Sequence, residues 1–167
     1  RGVALGYTYV FSDFSGAEER VRSQALRRIM DHVPYGLFTV LSDLTVAPGH
    51  SRACGTLFGT ADLQGMALSK LLRLPLRDAE AFEALVEQVF ADLLPEEVSL
   101  DQLPKRIELG DRVLSLTASV IRDDAGSIEG VLFSALDITD LESARHDLEE
   151  TQATVAVLED RERFESI

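Results

Sequence analysis

Apolar residues between positions 78 and 94 recur with the spacing of an amphipathic helix. They fall three and four residues apart, so one stripe of the helix is buried while the rest faces solvent. Asp78 is suited to cap the start of this helix, and Pro95 follows its end. The stripe consists of Phe82, Leu85, Val86, Val89, Phe90 and Leu93.

The C-terminal half of the sequence carries the alternating pattern of strands. Between residues 112 and 121, four apolar residues alternate with Ser and Thr, which predicts a strand with one buried and one more polar face. Those four are Leu114, Leu116, Ala118 and Val120. Residues 106–109 and 128–136 predict two further strands, and the turns at 110–111 and 122–126 make two hairpins.

Shorter elements are predicted before the helix at 78–94. Residues 37–41 and 45–46 predict two short strands, and residues 51–58 predict a helix closed by Gly59. Residues 66–72 predict a helical turn or two. The order of two strands, several helices and three antiparallel strands predicts an α+β fold, with the helices on one face of an antiparallel sheet.

The N-terminal residues repeat the sequence pattern of the last predicted strand. Residues 6–18 align with residues 130–142, and both segments read strand, Asp-apolar-Ser/Thr, then helix. We interpret residues 1–16 as the last strand of a preceding, similar domain, and residues 17–33 as a connecting helix stopped by Pro34. Chance similarity is the alternative. The absence of an initial Met and an end within a helical pattern predict a piece of a longer protein.

Residues 140–167 predict a coiled-coil signalling helix. Apolar or small residues fall alternately three and four residues apart, as at the a and d positions of a two-stranded coiled coil. The resulting seam is Leu141, Ala144, Leu148, Thr151, Val155 and Leu158. The remaining surface is highly charged, so we expect a second copy to cover this seam and form a homodimer. The alternative is that the stripe packs on its own domain.

Composition narrows the classes of partner. The net charge of −13 argues against nucleic acid and against direct contact with an anionic membrane. The single cysteine, Cys54, excludes an internal disulfide and fits a reducing, cytoplasmic location. No apolar run approaches the roughly 18 residues of a spanning helix.

Catalytic chemistry is not indicated by the sequence. The three histidines, His32, His50 and His146, lack the spacing of metal ligands, so we predict no metal site. There is no phosphate-binding Gly-rich loop and no nucleophile elbow. We therefore expect no catalytic residues and no enzyme activity in this chain.

Several motifs in order resemble the PAS domain, a small sensory module of bacterial signalling proteins, over residues 34–139. Residues 29–37 resemble the entry into the family's first strand. Residues 50–59 resemble its Asn-Arg-Ala-x(3)-Leu-x-Gly helix, with His50 in place of Asn. Residues 122–130 resemble its late hairpin, and Asp137-Ile138-Thr139 is similar to its exit motif.

The resemblance implies a five-stranded antiparallel sheet with helices on one face, flanked by amphipathic or coiled-coil helices that form a dimer. It also implies that Asp137 and Thr139 tie the last strand to the following helix, either as a signal relay or only as a helix cap. Arg145 is a candidate salt-bridge partner of Asp137 within this relay.

The resemblance further implies a ligand cavity between helices and sheet. Cys54 lies outside the run in which the family forms flavin adducts, and the helix at 78–94 lacks the histidine that ligates haem, so we predict no cofactor. Either a small apolar ligand binds or side chains fill the space. The cavity candidates are Leu37, Val40, Cys54, Phe58, Leu71, Phe82, Val86, Leu116 and Ala118.

Together these observations predict a PAS sensor and relay domain that passes input from adjacent domains of the chain to its C-terminal coiled coil. The expected context is a bacterial two-component system with a histidine kinase output. The alternatives are a passive dimerisation and spacer module without ligand, or the sensor of a transcriptional activator, nucleotide cyclase or chemotaxis-type kinase.

Overall fold

The computed structural model describes residues 3–165, which form one antiparallel sheet, four short-to-medium helices and two long flanking helices. The helices are α1 (Val3–His32), α2 (Arg52–Phe58), α3 (Leu68–Leu72), α4 (Leu76–Ala91), α5 (Glu96–Asp101) and α6 (Thr139–Glu165). The strands are β1 (Gly36–Val40), β2 (Arg106–Leu109), β3 (Arg112–Arg122) and β4 (Ile128–Asp137).

The sheet has the order β1-β4-β3-β2, so the first strand pairs with the last. Phe38 lies opposite Phe133, Leu116 opposite Ala135, and Ile107 opposite Leu114. Since side chains alternate between the faces of a strand, this register gathers the apolar side chains on one face. The predicted β3–β4 hairpin and α+β class are confirmed.

The prediction of five strands is wrong, because the described part of the chain has four. Thr45 and Val46 form only isolated bridges, Val46 to Val40 and Thr45 to Ala67. Leu44 has a positive φ of 62° and Pro48 has no N–H, so only the three residues between them can pair, and the third, Ala47, donates its N–H to the Thr39 carbonyl oxygen at 2.8 Å.

Four phenylalanines form the centre of the core. Phe133 stacks on Phe38 with ring centroids 5.4 Å apart, and Phe38 meets the edge of Phe58 at 5.5 Å. Phe82 of α4 lies 6.0 Å from Phe133. These contacts pack helices α2 and α4 on the inner face of the sheet.

Helix α4 follows its predicted stripe, with Phe82, Val86 and Val89 buried, but its ends are shifted. It begins at Leu76 after Pro75, so Asp78 lies in the first turn instead of capping it. Asp92, in the left-handed conformation, ends the helix and leaves Leu93 83% exposed. Helix α5, which follows after a short connection, was not predicted from the sequence.

The strand predicted near the N-terminus is also wrong, since residues 3–11 belong to α1. A strand needs a neighbouring strand for its backbone hydrogen bonds, whereas a helix forms them within the segment. In the described chain, no strand is contributed by residues 3–16. None of the helices within residues 3–165 is long and apolar enough to cross a membrane.

Candidate functional site

The junction between β4 and α6 is closed by hydrogen bonds of the Asp137-Ile138-Thr139 motif. The backbone N–H of Thr139 donates to Asp137 Oδ1 at 3.0 Å, and the Thr139 hydroxyl donates to the same oxygen. Thr139 is also the first residue of α6. The carboxylate therefore caps the helix and fixes the angle at which it leaves the strand.

The same motif is bonded to the neighbouring strand. Val113 N–H donates to Thr139 Oγ1 at 3.0 Å, and Ile138 N–H donates to the Val113 carbonyl oxygen at 2.8 Å. The start of α6 is thus attached to β3 as well as to β4. The predicted junction residues Asp137 and Thr139 are brought together by the fold.

Arg112 connects this junction to helix α2. Its Nη1 donates to the carbonyl oxygens of Thr56 at 2.8 Å and Leu57 at 3.3 Å, and its Nε lies 4.0 Å from Asp137 Oδ2. The role of Arg112 was not predicted, because no local sequence pattern distinguishes it from other surface arginines. Because β3 and β4 are antiparallel, the start of β3, where Arg112 lies, is beside the end of β4, where Asp137 lies.

Arg145, the predicted partner of Asp137, lies elsewhere. It pairs with Glu149 at 2.9 Å and with Glu142 at 4.0 Å, along its own helix. Since Glu142 and Glu149 lie one turn away on either side, they meet the guanidinium first. Glu142 is also 3.6 Å from Arg106 of β2, which makes a second link between sheet and helix.

Hydrogen bonding sets the electrostatics of the junction. The two hydrogen bonds from Thr139 lower the pKa of Asp137 from its ordinary value of 3.8, and the nearby Arg112 charge lowers it further. A carboxylate that accepts such bonds is held in its charged form. The cap is therefore present in full at neutral pH.

This lowered pKa predicts an acid-dependent stability. Because the folded pKa lies below the unfolded one, charged Asp137 stabilises the fold above about pH 4, and this stabilisation is lost as pH falls through the folded pKa. We expect Asp137→Asn to be less stable than wild type at pH 6, with the difference shrinking at pH 3. Urea denaturation at both pH values measures it, and a difference independent of pH would contradict the assignment.

Asp43 offers a matched comparison, since Thr45 gives it the same two hydrogen bonds in a loop remote from α6. Its pKa is lowered mainly by those bonds. Asp43→Asn should show the same direction of pH dependence without altering hydrogen exchange at the start of α6.

Removing the Thr139 hydroxyl is expected to loosen α6 from the sheet. Thr139→Val keeps the shape but leaves Val113 N–H without its acceptor, so we expect a loss of about 1–2 kcal/mol in unfolding free energy. Hydrogen exchange at Val113 and in the first turn of α6 should accelerate. Thr45→Val removes the equivalent bond to Asp43, and equal acceleration in both variants would refute a specific role for Thr139.

The predicted cavity residues divide into three groups. Most of them are buried in one core cluster, whereas Ala118 is partly buried against it. The buried ones are Val40, Cys54, Phe58, Leu71, Phe82, Val86 and Leu116. The prediction that Leu37 lines the cavity is wrong. Phe38 and Val40 point into the core, so Leu37, their neighbour in the strand, points to the opposite face.

One space that opens toward the inner face of the sheet lies beside α5. This opening of about 440 Å³ is lined by Leu100, Leu103, Leu116, Ala118 and Phe133, with the charged Lys105 and Asp101 at its rim. Only Leu116 and Ala118 of the predicted set contribute to it. Phe133 was not among the predicted cavity residues, although side chains alternate along β4 and this alternation places Phe133 on the buried face.

Cys54 is a buried core group. Its Sγ donates to the Leu37 carbonyl oxygen at 3.3 Å, and burial raises the pKa of the thiol. A protonated, inaccessible thiol is a poor nucleophile. Among the residues that the structure describes, no group of three or more His, Cys, Asp or Glu side chains is placed to hold a metal ion.

No protein-family model and no curated protein matches this sequence. Solved structures do resemble its fold. A PAS domain from Colwellia psychrerythraea is 14% identical, with 70% of this chain and 97% of that chain covered at a TM-score of 0.51. The sensor region of a sensor histidine kinase is 17% identical, with 64% and 40% covered at a TM-score of 0.50.

An RNA-binding light-oxygen-voltage receptor is 14% identical, with 80% of this chain and 38% of that chain covered at a TM-score of 0.54. These likenesses, with the antiparallel sheet and its layer of helices, define the class: the chain has the PAS fold, as its sequence motifs predict.

Proposed function

We propose that this chain is a PAS sensor and relay domain that passes changes in its core to helix α6. The observation that supports it is the junction described above, where Thr139 joins the end of β4, the start of β3 and the first turn of α6. Since the link consists of short hydrogen bonds to backbone and carboxylate, movement of the sheet must move the helix.

The exposure of the seam supports dimerisation through α6. Leu141, Leu148 and Leu158 are 66%, 58% and 55% exposed in the single chain. A second copy would remove this apolar surface from water, which is the usual driving force for pairing of such helices. The alternative that the seam packs on its own domain has no support here, because every described side chain from Ser143 to Glu159 is exposed.

Charges flanking the seam favour a parallel pair. In the heptad, Asp140 occupies a g position and Arg145 the following e position. In a parallel, in-register pair, these positions of two copies lie beside each other, so Asp140 would meet Arg145 of the second copy. Arg145 is free to exchange partners, since its present pairs with Glu142 and Glu149 are exposed.

The output that we propose is a histidine kinase of a bacterial two-component system, reached through the coiled coil. The sensor region of a sensor histidine kinase shares the fold. We further propose a cytoplasmic location, no cofactor, no enzyme activity within this chain, and no nucleic acid or membrane partner. The net charge of −13 supports the exclusion of nucleic acid and of a membrane as partners.

A distance measurement tests the proposed pairing. A spin label at Ser143→Cys, in a Cys54→Ala background, should give a narrow distribution of short distances for a parallel dimer, because paired helix axes lie about 8–10 Å apart. An antiparallel pair would separate the labels by about 30 Å, given a rise of 1.5 Å per residue. Either that result or a monomer at high concentration would overturn the proposal.

A passive spacer is the second candidate, and the close packing of the core favours it. The four phenylalanine rings occupy the centre where a ligand would lie. Native mass spectrometry of the purified chain distinguishes a ligand-binding sensor from a passive spacer. A bound small molecule would exclude the spacer, whereas a ligand-free dimer whose α6 is insensitive to Thr139→Val would support it.

A further inference from the structure

A cleft outside the core lies between helix α1 and the segment that contains α2. Its volume is about 680 Å³, and it is separate from the core and from the opening beside α5. Arg27 and Asp31 contribute from α1, whereas His50, Arg52, Thr56 and Thr60 contribute from the segment around α2. We propose that this cleft binds a small, soluble phosphate monoester.

The cleft collects positive charge on a strongly acidic chain. Arg27 and Arg52 make no salt bridge within the described residues, although the chain has a net charge of −13. Asp31 is the one carboxylate in the lining, and it lies farther than 4.0 Å from both guanidiniums. Guanidinium forks match the geometry of phosphate oxygens and bind them in bidentate fashion.

His50 adds an unsatisfied polar atom to the same place. Its Nε2 lies 3.3 Å from the Ala61 carbonyl oxygen, which can only accept, so Nε2 carries the hydrogen and donates this bond. Nδ1 is then an acceptor, yet it is buried and has no hydrogen-bond partner in the described structure. A protonated phosphate oxygen is a donor of the kind that this acceptor lacks.

The floor of the cleft is held in place by Ser51, which is fully buried between His50 and Arg52. Its hydroxyl donates to the Tyr35 carbonyl oxygen at 2.9 Å and accepts from Leu37 N–H at 2.9 Å. Its own N–H donates to the Leu37 carbonyl oxygen at 2.8 Å. The positions of His50 and Arg52 are therefore fixed relative to β1 before any ligand arrives.

A bound phosphate would join the incoming helix to the domain, because Arg27 belongs to α1 while Arg52 and His50 belong to the domain. The binding site does not depend on the proposed relay, and only its effect on signalling rests on that function. The C-terminal carbonyls of α2 are bonded to Arg112, which lies beside Asp137. The cleft is thus connected to the junction of α6.

Titration with glycerol phosphate, followed by NMR at constant ionic strength, tests the site. We expect saturable shifts of the His50 ring signals while those of His146 on α6 stay in place. Loss of one charge-assisted contact, in Arg27→Gln or Arg52→Gln, should weaken binding about tenfold. Both side chains are exposed, so neither variant should impair folding.

Arg28→Gln is the matched control, since it removes the same charge from the same helix outside the cleft. Equal weakening in this variant, or the absence of saturation, would overturn the proposal. Vesicles containing phosphatidic acid test the other source of a phosphate, and vesicle binding that is lost in Arg52→Gln would refute a soluble ligand. The spin-label distances in α6 remain an independent test of the proposed function.

Discussion

Phe133→Ala is expected to destabilise the fold by about 3–5 kcal/mol, the usual range for truncating a buried phenylalanine. Phe133 is 1% exposed, stacks on Phe38 and meets Phe82 at 6.0 Å. Its loss would leave a cavity where the sheet, α4 and α2 meet, beside the opening next to α5. Urea denaturation followed by circular dichroism measures the change.

Leu132→Ala is the control for this prediction. Leu132 is the neighbouring residue of β4 but points to the outer face, where it is only partly buried. We expect a much smaller loss than for Phe133→Ala, because little packing is removed. If the two variants lost similar stability, the assignment of the inner face would be wrong.

Leu148→Asp is expected to abolish the dimer that we propose. It places a charge at the centre of the seam, where both copies would have to bury a carboxylate next to its equivalent. The domain should remain folded, because Leu148 is 58% exposed and does not belong to the hydrophobic core cluster or to the residues packed against it. Sedimentation equilibrium should report a dimer for the wild type and a monomer for the variant.

Ala153→Asp introduces the same charge at an outward f position of the same helix. We expect it to leave the dimer intact. Dissociation by both substitutions would indicate loss of helix rather than loss of a seam. A Leu148→Asp variant that stays dimeric would move the interface away from α6.

Local periodicity accounts for what the sequence predicted well. The alternation in β3, the stripe of α4 and the Gly59 end of α2 are all set by residues close in sequence, and the structure confirms each. The exit motif belongs to the same class, since Asp137 and Thr139 are two residues apart.

The features that were not predicted from the sequence depend on interactions between distant parts of the chain. Arg112 reaches the carbonyl of Thr56, 56 residues away in sequence, and no local pattern could indicate that contact. Residues 3–11 have a composition typical of strands but lie in a helix, which shows that strand propensity needs a partner strand to take effect. Leu37 was assigned to the core because the short strand β1 carries a large apolar residue on each face, Phe38 inside and Leu37 outside.

The length of α6 gives the junction mechanical leverage. The helix has 27 residues, so it extends about 40 Å from Thr139, and a tilt of about 5° there shifts its far end by roughly 3.5 Å. A displacement of that size exceeds half the pitch of a helical turn. Sub-ångström adjustments in the sheet, too small to disturb the packing of four aromatic rings, can therefore arrive at the distant tip as a change large enough for a neighbouring domain to register.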